Sequence, residues 1–284
     1  MTSNKNFFNT SKVLPVDKFI ENVLYNKKVG YYSSNLPFGK RGDFLTAPVI
    51  SNLFSEIIGI WFISTWNSLG RPKKFNVIEL GPGDGSLAKI LLETFQQFPE
   101  FYRATNIFLY EKSNFLKNLQ KKKINNSKVK WIRNFNNIKK GPVVFFGNEF
   151  FDAIPIKQFS RKNNLLMEKY YSLNKKNKIN EIYKKASHED ISQIKKFKVL
   201  KNLKFIEFPK IGFNELDNII KKISKLEGGL MLIDYGYLIQ KNKNTLQSII
   251  KHKRNNLLEN LGKADITSLV NFNLLNEYFI KNNL

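Results

Sequence analysis

Cysteine is absent from the sequence, and its two histidines, His188 and His252, lie far apart along the chain. A chain without cysteine can form neither disulfides nor thiolate metal sites, and it has no cysteine nucleophile. Two separated histidines also fall short of the three or four ligands of a zinc site. The sequence therefore predicts no metal site.

Long apolar runs are absent as well. No stretch reaches the roughly 18 apolar residues of a membrane-spanning helix, and residues 1–12 have neither the apolar core of a signal peptide nor the arginines of a transit peptide. We therefore expect no membrane span and a bacterial cytoplasmic location. Since 42% of the 284 residues are hydrophobic, the chain can form a core, and a single globular domain is the expected organisation.

Acidic residues are few compared with basic ones, 23 against 47, which gives a net charge of +24. Such an excess can indicate a nucleic acid or an anionic membrane as partner, because lysine and arginine release counterions from phosphates. The lysines are nevertheless scattered along the whole chain among asparagine and isoleucine, a pattern that a biased genome composition also produces. The charge therefore favours no nucleic-acid function by itself.

Short apolar segments alternate with amphipathic segments in the middle of the chain. Strands are predicted at residues 75–80, 106–110, 128–132, 143–147 and 229–234, and helices are predicted at residues 86–97 and 114–123. Strands that alternate with helices indicate an α/β fold with a parallel sheet covered on both faces. Such sheets bind ligands at the carboxyl ends of their strands.

Two further elements are predicted on either side of this region. The apolar segments at 156–159 and 165–167 flank the polar turn 161–164, which indicates a β-hairpin that we interpret as a lid or substrate arm, followed by an exposed connection at 174–180. Before the sheet, apolar residues recur at the spacing of one helix face, at Phe54, Ile57, Ile58, Trp61 and Phe62. We expect their aromatic rings to lie in the core.

A glycine-rich loop follows the first predicted strand. Glu79 lies near the end of the strand, and Gly81, Gly83 and Gly85 come directly before the next helix. Glycine lets a backbone turn tightly and approach a ligand closely. A similar loop binds pyrophosphate in dinucleotide folds, and a lone pattern of this kind also occurs in ordinary tight turns.

Four residues in and around this loop narrow the choice of ligand. Pro82 removes a backbone donor and Asp84 adds a negative charge, and both changes are unfavourable for a diphosphate. Glu79 and Asp84 suit a ligand that carries an ammonium and a sulfonium. Glu111 ends the next predicted strand, where a carboxylate can accept hydrogen bonds from both hydroxyls of a ribose. The pattern predicts an S-adenosylmethionine site.

A second polar cluster follows the strand at 143–147. Asn148, Glu149 and Asp152 emerge at the ligand end of that strand, although Asp152 could instead merely cap a turn. Methyl transfer requires a nucleophile held close to the sulfonium methyl with water excluded. Paired carboxylates could orient a guanidinium and polarise it toward one nitrogen. We therefore predict these three residues as the catalytic group.

The sequence resembles the MidA-like methyltransferases, the family of the mitochondrial complex I assembly arginine methyltransferase. The matching segments occur in the family's order at residues 30–32, 42–48, 79–85, 148–159, 233–237 and 262–267. The resemblance implies a Rossmann-like class I methyltransferase sheet and methyl transfer to an arginine of a partner protein, such as a respiratory complex subunit. It also implies that Gly42, Asp43 and Thr46 lie beside the cofactor.

With this resemblance, the single domain divides into consecutive regions. We expect a helical N-terminal region at 1–70, a cofactor-binding half at 71–155, an insertion at 156–210, and the last core strand with a C-terminal segment at 211–284. The chain stops at Leu284, before the further elements typical of the family, so we expect a form shortened at its C-terminus.

Two alternative functions remain at the level of sequence. The family's usual histidine is Leu269 here and its aspartate is Asn271, which is compatible with a non-catalytic assembly factor that retains the fold. The net charge and the Asn148 segment are compatible with an amino-methyltransferase acting on nucleic acid. Those enzymes usually have prolines at the positions of Glu149 and Phe150, so a protein substrate is favoured over nucleic acid.

Overall fold

The computed structural model describes residues 4–8, 11–34, 52–163, 165–239 and 241–284. The chain divides into two compact units. The parallel-sheet unit comprises residues 36–150 and 216–233, and the antiparallel-sheet unit comprises residues 1–35, 151–215 and 234–284. Within the described ranges, no helix is both long enough and apolar enough to cross a membrane.

The described part of the chain contains both helices and strands. The helices are α1 (Val16–Tyr25), α2 (Tyr31–Ser34), α3 (Asn52–Ser68), α4 (Ser86–Gln96), α5 (Pro99–Ala104), α6 (Asn114–Ile124), α7 (His188–Lys195), α8 (Lys210–Leu226) and α9 (Phe272–Lys281). The strands are β1 (Val13–Pro15), β2 (Phe75–Leu80), β3 (Thr105–Tyr110), β4 (Val129–Ile132), β5 (Val143–Asn148), β6 (Lys157–Lys162), β7 (Leu165–Leu173), β8 (Ile179–Lys185), β9 (Phe205–Phe208), β10 (Gly228–Ile233), β11 (Gly236–Tyr237), β12 (Gln247–Ile250), β13 (Lys253–Asn255), β14 (Asp265–Thr267) and β15 (Val270–Asn271).

The parallel-sheet unit contains a five-stranded sheet in the order β10-β5-β2-β3-β4, with every neighbouring pair parallel. The predicted α/β fold is confirmed, and β2 has the predicted bounds. All six residues of β2 are buried, as expected for a strand covered on both faces. On one face, the fully buried ring of Phe62 from α3 lies 5.9 Å from Phe95 and 6.1 Å from Phe146 between ring centroids.

The predicted apolar face of α3 was wrong for one residue. Ile57 is 58% exposed, whereas the buried positions of α3 include Ser55, Ile58, Phe62 and Trp66. These positions lie three or four residues apart, so they form one buried face of the helix. Ile57 lies outside that face. Phe62 and Trp66 lie in the core.

The antiparallel-sheet unit contains strands in the order β1-β7-β6-β9, with β8 paired to β7. The predicted hairpin is confirmed by the antiparallel pairing of β6 with β7. Strand β6 reaches Lys162, two residues into the predicted polar turn, because backbone pairing tolerates the charged side chains of Arg161 and Lys162. Its interpretation as a lid or substrate arm stays a prediction.

Two strands of this unit lie where none was predicted. Strand β1 falls in the region that we expected to be helical, and it pairs with the end of β7. Strand β8 begins at Ile179, inside the segment that we interpreted as an exposed connection. Most residues of β8 are exposed, so the strand lacks the apolar alternation that identifies strands in a sequence.

Candidate active site

The glycine loop follows β2 and turns before α4. Gly81, Gly83 and Gly85 have positive φ angles of 60°, 56° and 81°, a backbone region that side chains disfavour. A Cβ atom on Gly85 would also lie 3.2 Å from the side chains of Gln120 and Ile124. The loop therefore requires glycine for both conformation and space.

Glu79 lies on β2 immediately before this loop and is 5% exposed. Its Oε2 atom has no hydrogen-bond partner within the part of the chain that the structure describes. Burial, together with the negative charges of Asp84 and Glu111, raises the pKa of Glu79 to about 8. A buried carboxylate that lacks a partner is unfavourable, so a cationic or hydrogen-bond-donating ligand would stabilise its ionised form.

Glu111 follows β3 and is oriented by two hydrogen bonds. Its Oε1 accepts from the backbone N–H of Ser113 at 2.6 Å, and its Oε2 accepts from Gln120 Nε2 at 3.1 Å. Burial raises the pKa of Glu111, and these hydrogen bonds oppose that effect. The structure thus places Glu79 and Glu111 at the ends of neighbouring parallel strands in one unit.

Gln120 was not predicted from the sequence as a site residue. This fully buried residue of α6 donates from Nε2 to Gly83 O at 2.8 Å as well as to Glu111, and its Oε1 accepts from Trp131 Nε1 at 2.9 Å. It therefore connects the glycine loop to the predicted ribose-binding carboxylate. The sequence did contain one signal. Gln120 is a polar residue that lies four positions from each of two apolar residues, Leu116 and Ile124.

Asp84 makes contacts within the loop and with α6. Its oxygens accept hydrogen bonds from the backbone N–H and the hydroxyl of Ser86, each at 2.9 Å, and its Oδ2 lies 2.5 Å from Lys123 Nζ. Burial alone would raise the pKa of Asp84, but the hydrogen bonds from Lys123 and Ser86 outweigh burial and lower it. Asp84 therefore fixes the start of α4, and its contact with a cofactor stays a prediction.

Three of the predicted cofactor residues cannot be placed in this geometry. Gly42, Asp43 and Thr46 lie outside the described residues. Their position beside the cofactor stays a prediction that rests on the family resemblance.

Asn148 and Glu149 lie at the carboxyl end of β5 in the parallel-sheet unit. Asn148 Nδ2 is 3.4 Å from Glu149 Oε1, and the backbone N–H of Glu149 donates to Ile233 O at 2.9 Å. Glu149 has a φ angle of 50°, which is uncommon for a residue other than glycine. Backbone strain of this kind concentrates at functional sites.

Asp152 lies in the antiparallel-sheet unit, where its backbone is held on both sides. The backbone N–H groups of Phe151 and Asp152 donate to Asp234 Oδ2 at 2.8 and 3.1 Å, and Asp152 O accepts from the backbone N–H of Ser268 at 3.0 Å. Asp234 was not predicted as a site residue. Its carboxylate sets the direction of the segment that carries Asp152.

Two of the segments that carry the family resemblance meet in the antiparallel-sheet unit. The hydroxyl of Tyr32 lies 3.2 Å from each carboxylate oxygen of Asp265, and both residues are buried. Burial, followed by the charge of Asp265, raises the pKa of Tyr32 well above its ordinary value. Tyr32 is therefore a neutral hydrogen-bond donor to Asp265.

Residues 57–284 match a family described as "Putative S-adenosyl-L-methionine-dependent methyltransferase". The chain belongs to this family. It is 26% identical over 291 residues to the Drosophila melanogaster homologue of protein arginine methyltransferase NDUFAF7, mitochondrial, covering 92% of this chain and 65% of that protein. The human protein of that name is 26% identical over 288 residues, with 92% and 64% covered.

A crystal structure from Burkholderia thailandensis, bound to S-adenosyl-homocysteine, has a similar fold. Its TM-score is 0.78 at 22% identity, and the match covers 95% of this chain and 72% of that one. The likeness supports the methyltransferase fold. The chain spans about 65% of the length of the curated relatives.

The relatives correct one expectation. They carry the names of mitochondrial proteins, which contradicts the expected bacterial cytoplasmic location. That expectation depended on the composition of residues 1–12, and so short a segment does not identify a compartment.

Proposed function

We propose that this chain binds S-adenosylmethionine and transfers its methyl group to an arginine of a partner protein. The observation that carries the proposal is the buried carboxylate of Glu79, whose Oε2 lacks a hydrogen-bond partner among the described residues beside a loop of three glycines. Family membership supports methyl transfer. The names of the relatives, which are protein arginine methyltransferases, support arginine as the acceptor.

The residues around the loop fit this cofactor better than a dinucleotide. Pro82 offers no N–H group to a phosphate, and the nearby carboxylates of Asp84 and Glu111 would repel a diphosphate. S-adenosylmethionine has no phosphate and carries positive charge on its ammonium and sulfonium. When bound, it supplies an electrophilic methyl group.

Each residue of the loop region has a proposed role. Glu79 pairs with the ammonium of the cofactor, and Glu111 accepts hydrogen bonds from the ribose hydroxyls. The glycines allow the backbone to approach the ligand closely. Asp84, together with Gly42, Asp43 and Thr46, completes the proposed set of cofactor contacts.

Asn148, Glu149 and Asp152 are the residues that we propose for the acceptor. A guanidinium is protonated near neutral pH and presents its donors in one plane. A carboxylate can therefore orient it through paired hydrogen bonds and accept the proton that leaves the attacking nitrogen. Asn148 supplies an amide that can donate or accept a hydrogen bond at the same group.

Two measurements on the purified chain test the proposal. The first is calorimetric titration with S-adenosyl-homocysteine, in which we expect saturable binding that Glu79→Ala weakens and Glu93→Ala leaves unchanged. Glu93 is an exposed glutamate of α4 in the same unit and serves as the matched control. If the unmodified chain did not bind S-adenosyl-homocysteine, the proposal would be wrong.

The second measurement identifies the acceptor. The chain is incubated with methyl-labelled cofactor and a cell extract, and the labelled product is hydrolysed to amino acids. Labelled methylarginine is the expected product. Label in nucleic acid would support the amino-methyltransferase alternative, and cofactor binding without any labelled product would support a non-catalytic assembly factor.

A further inference from the structure

One end of the antiparallel sheet carries several basic residues. Strand β6 ends there and strand β9 begins there, because Ser160 pairs with Phe205. Three segments at this end, residues 160–163, 201–204 and 241–244, contain no aspartate or glutamate. We call this end the lysine-rich surface, and its six cations are Arg161, Lys162, Lys201, Lys204, Lys241 and Lys243.

Hydrogen bonds hold the three segments of this surface together. The backbone N–H of Arg161 donates to Lys204 O at 2.8 Å, and Arg161 Nε donates to Leu203 O at 3.3 Å. The side-chain oxygen of Asn242 accepts the backbone N–H of Lys204 at 2.7 Å. The six cations are therefore neighbours in the fold, although they come from three distant parts of the chain.

Within the described ranges, none of these six cations forms an ion pair with a carboxylate. The side chains of Lys162, Lys204 and Lys243 are exposed. Lys241 Nζ lies 5.1 Å from the centroid of the Tyr237 ring. Clustered cations of this kind raise the local electrostatic potential, so the surface attracts anionic partners.

Three aliphatic side chains are exposed beside these cations. Leu165 is 52% exposed, Leu238 is 70% exposed and Ile239 is 85% exposed. Leu165 pairs with Lys162 in the hairpin, and Leu238 and Ile239 precede Lys241 in the chain. Apolar side chains that are exposed together and bordered by polar residues indicate an interaction surface.

A bilayer of anionic phospholipids matches both the cations and the aliphatic side chains. Its headgroups attract lysine and arginine, and aliphatic side chains enter the boundary between the headgroups and the acyl chains. A nucleic acid would attract the cations, but it offers no apolar phase to leucine or isoleucine, and unpaired bases stack mainly on aromatic side chains. A second copy of the same surface would be repelled by its like charge.

We propose that the lysine-rich surface, together with Leu165, Leu238 and Ile239, binds the surface of an anionic phospholipid bilayer. The cations contact the lipid phosphates, and the three aliphatic side chains enter the interface without crossing the bilayer. The inference goes beyond the proposed function and does not rest on it, because none of these residues belongs to the proposed cofactor or acceptor groups.

Co-sedimentation of the purified chain with lipid vesicles tests this proposal. Vesicles of phosphatidylcholine with about one third phosphatidylglycerol present anionic headgroups, and vesicles of phosphatidylcholine alone are the reference without net charge. We expect the chain to bind the anionic vesicles more tightly than the reference vesicles by about tenfold or more. Equal binding to the two kinds of vesicle, or binding to neither, would overturn the proposal.

Paired lysine variants separate this surface from the general attraction of a chain with a net charge of +24. Lys241→Gln combined with Lys243→Gln should weaken binding to anionic vesicles by about 25-fold, since each lysine near the membrane contributes about fivefold. The matched control is Lys175→Gln combined with Lys176→Gln, at two exposed lysines of another loop in the same unit, and its loss should be much smaller. Similar losses in the two double variants would overturn the proposal.

Paired aliphatic variants distinguish a bilayer from a nucleic acid. Leu238→Ser combined with Ile239→Ser should weaken vesicle binding by about tenfold or more, because two aliphatic side chains no longer leave water. Ile280→Ser, at an exposed isoleucine of α9 in the same unit, should leave vesicle binding unchanged. Unchanged vesicle binding by the double serine variant would overturn the proposal. Loss of DNA-duplex binding by the double glutamine variant in that case would identify the surface as a nucleic-acid site instead.

Because the chain contains no cysteine, entry into the bilayer can be measured at single positions. Ile239→Cys and Ile280→Cys each introduce one thiol, which is labelled with a fluorophore whose emission depends on polarity, and circular dichroism checks the fold of each variant. We expect anionic vesicles to shift the emission of the label at position 239 to shorter wavelength and to leave the label at position 280 unchanged. No shift at position 239, or equal shifts at both positions, would overturn the proposal.

Discussion

Gln120 donates a hydrogen bond from Nε2 to Glu111 Oε2 at 3.1 Å, and the same nitrogen donates to Gly83 O at 2.8 Å. Because Gln120 is fully buried, Gln120→Leu would leave Gly83 O, Glu111 and the indole N–H of Trp131 without this partner. We expect a loss of about 2–4 kcal/mol in the free energy of unfolding, since each unsatisfied buried group costs about 1–3 kcal/mol. Urea denaturation measures this loss in the free energy of unfolding.

The matched control for this substitution is Gln97→Leu. Gln97 is an exposed glutamine just after α4 in the same unit, and its replacement should change stability by less than about 0.5 kcal/mol. We also expect Gln120→Leu to weaken S-adenosyl-homocysteine binding, because it releases both the loop and Glu111. Unchanged affinity would show that Gln120 supports the fold without positioning the cofactor site.

The positions of Glu79 and Glu111 at neighbouring strand ends were predictable from sequence, whereas the hydrogen-bond partners of Gln120 were not. Both acids lie at the ends of strands whose apolar runs define their bounds, and parallel strands bring those ends to one edge of the sheet. The contacts of Gln120 reach residues 9 to 37 positions away. Such contacts depend on how α6 packs, which local periodicity does not specify.

The pH dependence of cofactor binding should follow Glu79. Its pKa is raised from 4.5 to about 8, so below about pH 8 the free site is mainly protonated, and a cationic ligand must displace that proton. Affinity for S-adenosylmethionine should therefore rise as pH increases toward 8, by up to about tenfold per pH unit. Calorimetry in two buffers with different ionisation enthalpies would detect the released proton, and Glu79→Gln should abolish the release.

The same shift in the pKa of Glu79 makes stability fall as pH rises, whereas cofactor affinity rises. The folded state holds a proton on Glu79 more tightly than the unfolded state does, so the contribution of Glu79 to folding weakens as pH rises from 4.5 to about 8. Glu79→Gln removes a titrating group and should flatten this part of the profile. Thermal unfolding across that range, with Glu93→Gln as the exposed control, measures the difference. Equal slopes in the two variants would contradict the assigned pKa.

Asp234 should affect turnover more than cofactor binding. Its Oδ2 accepts the backbone N–H groups of both Phe151 and Asp152, and Asp234→Asn weakens these charge-assisted hydrogen bonds. We expect KM for the protein substrate to rise and kcat to fall, because the segment carrying Asp152 loses its fixed direction. S-adenosyl-homocysteine affinity should change little. An equal loss of cofactor binding and turnover would instead indicate general destabilisation.

Only part of the antiparallel-sheet unit could be predicted from the sequence. Its hairpin was predictable because two apolar segments flank a polar turn, whereas β8 was not, because its residues are mostly polar and exposed. The hydrogen bond between Tyr32 and Asp265 had no local signal either. The two residues lie 233 positions apart in the chain, and only the folded chain brings them together.

Lys157 forms a largely buried ion-pair network in this unit. Its Nζ lies 2.5 Å from Glu168 Oε1 and 3.1 Å from Asp190 Oδ2, and both carboxylates are 3% exposed. Lys157→Met would leave two buried carboxylates without this cation, and we expect a loss of about 3–5 kcal/mol in the free energy of unfolding. Lys18→Met breaks the exposed pair with Glu21 and should cost about 1 kcal/mol or less. Similar losses in the two variants, measured by urea denaturation, would show that burial does not strengthen the Lys157 pair.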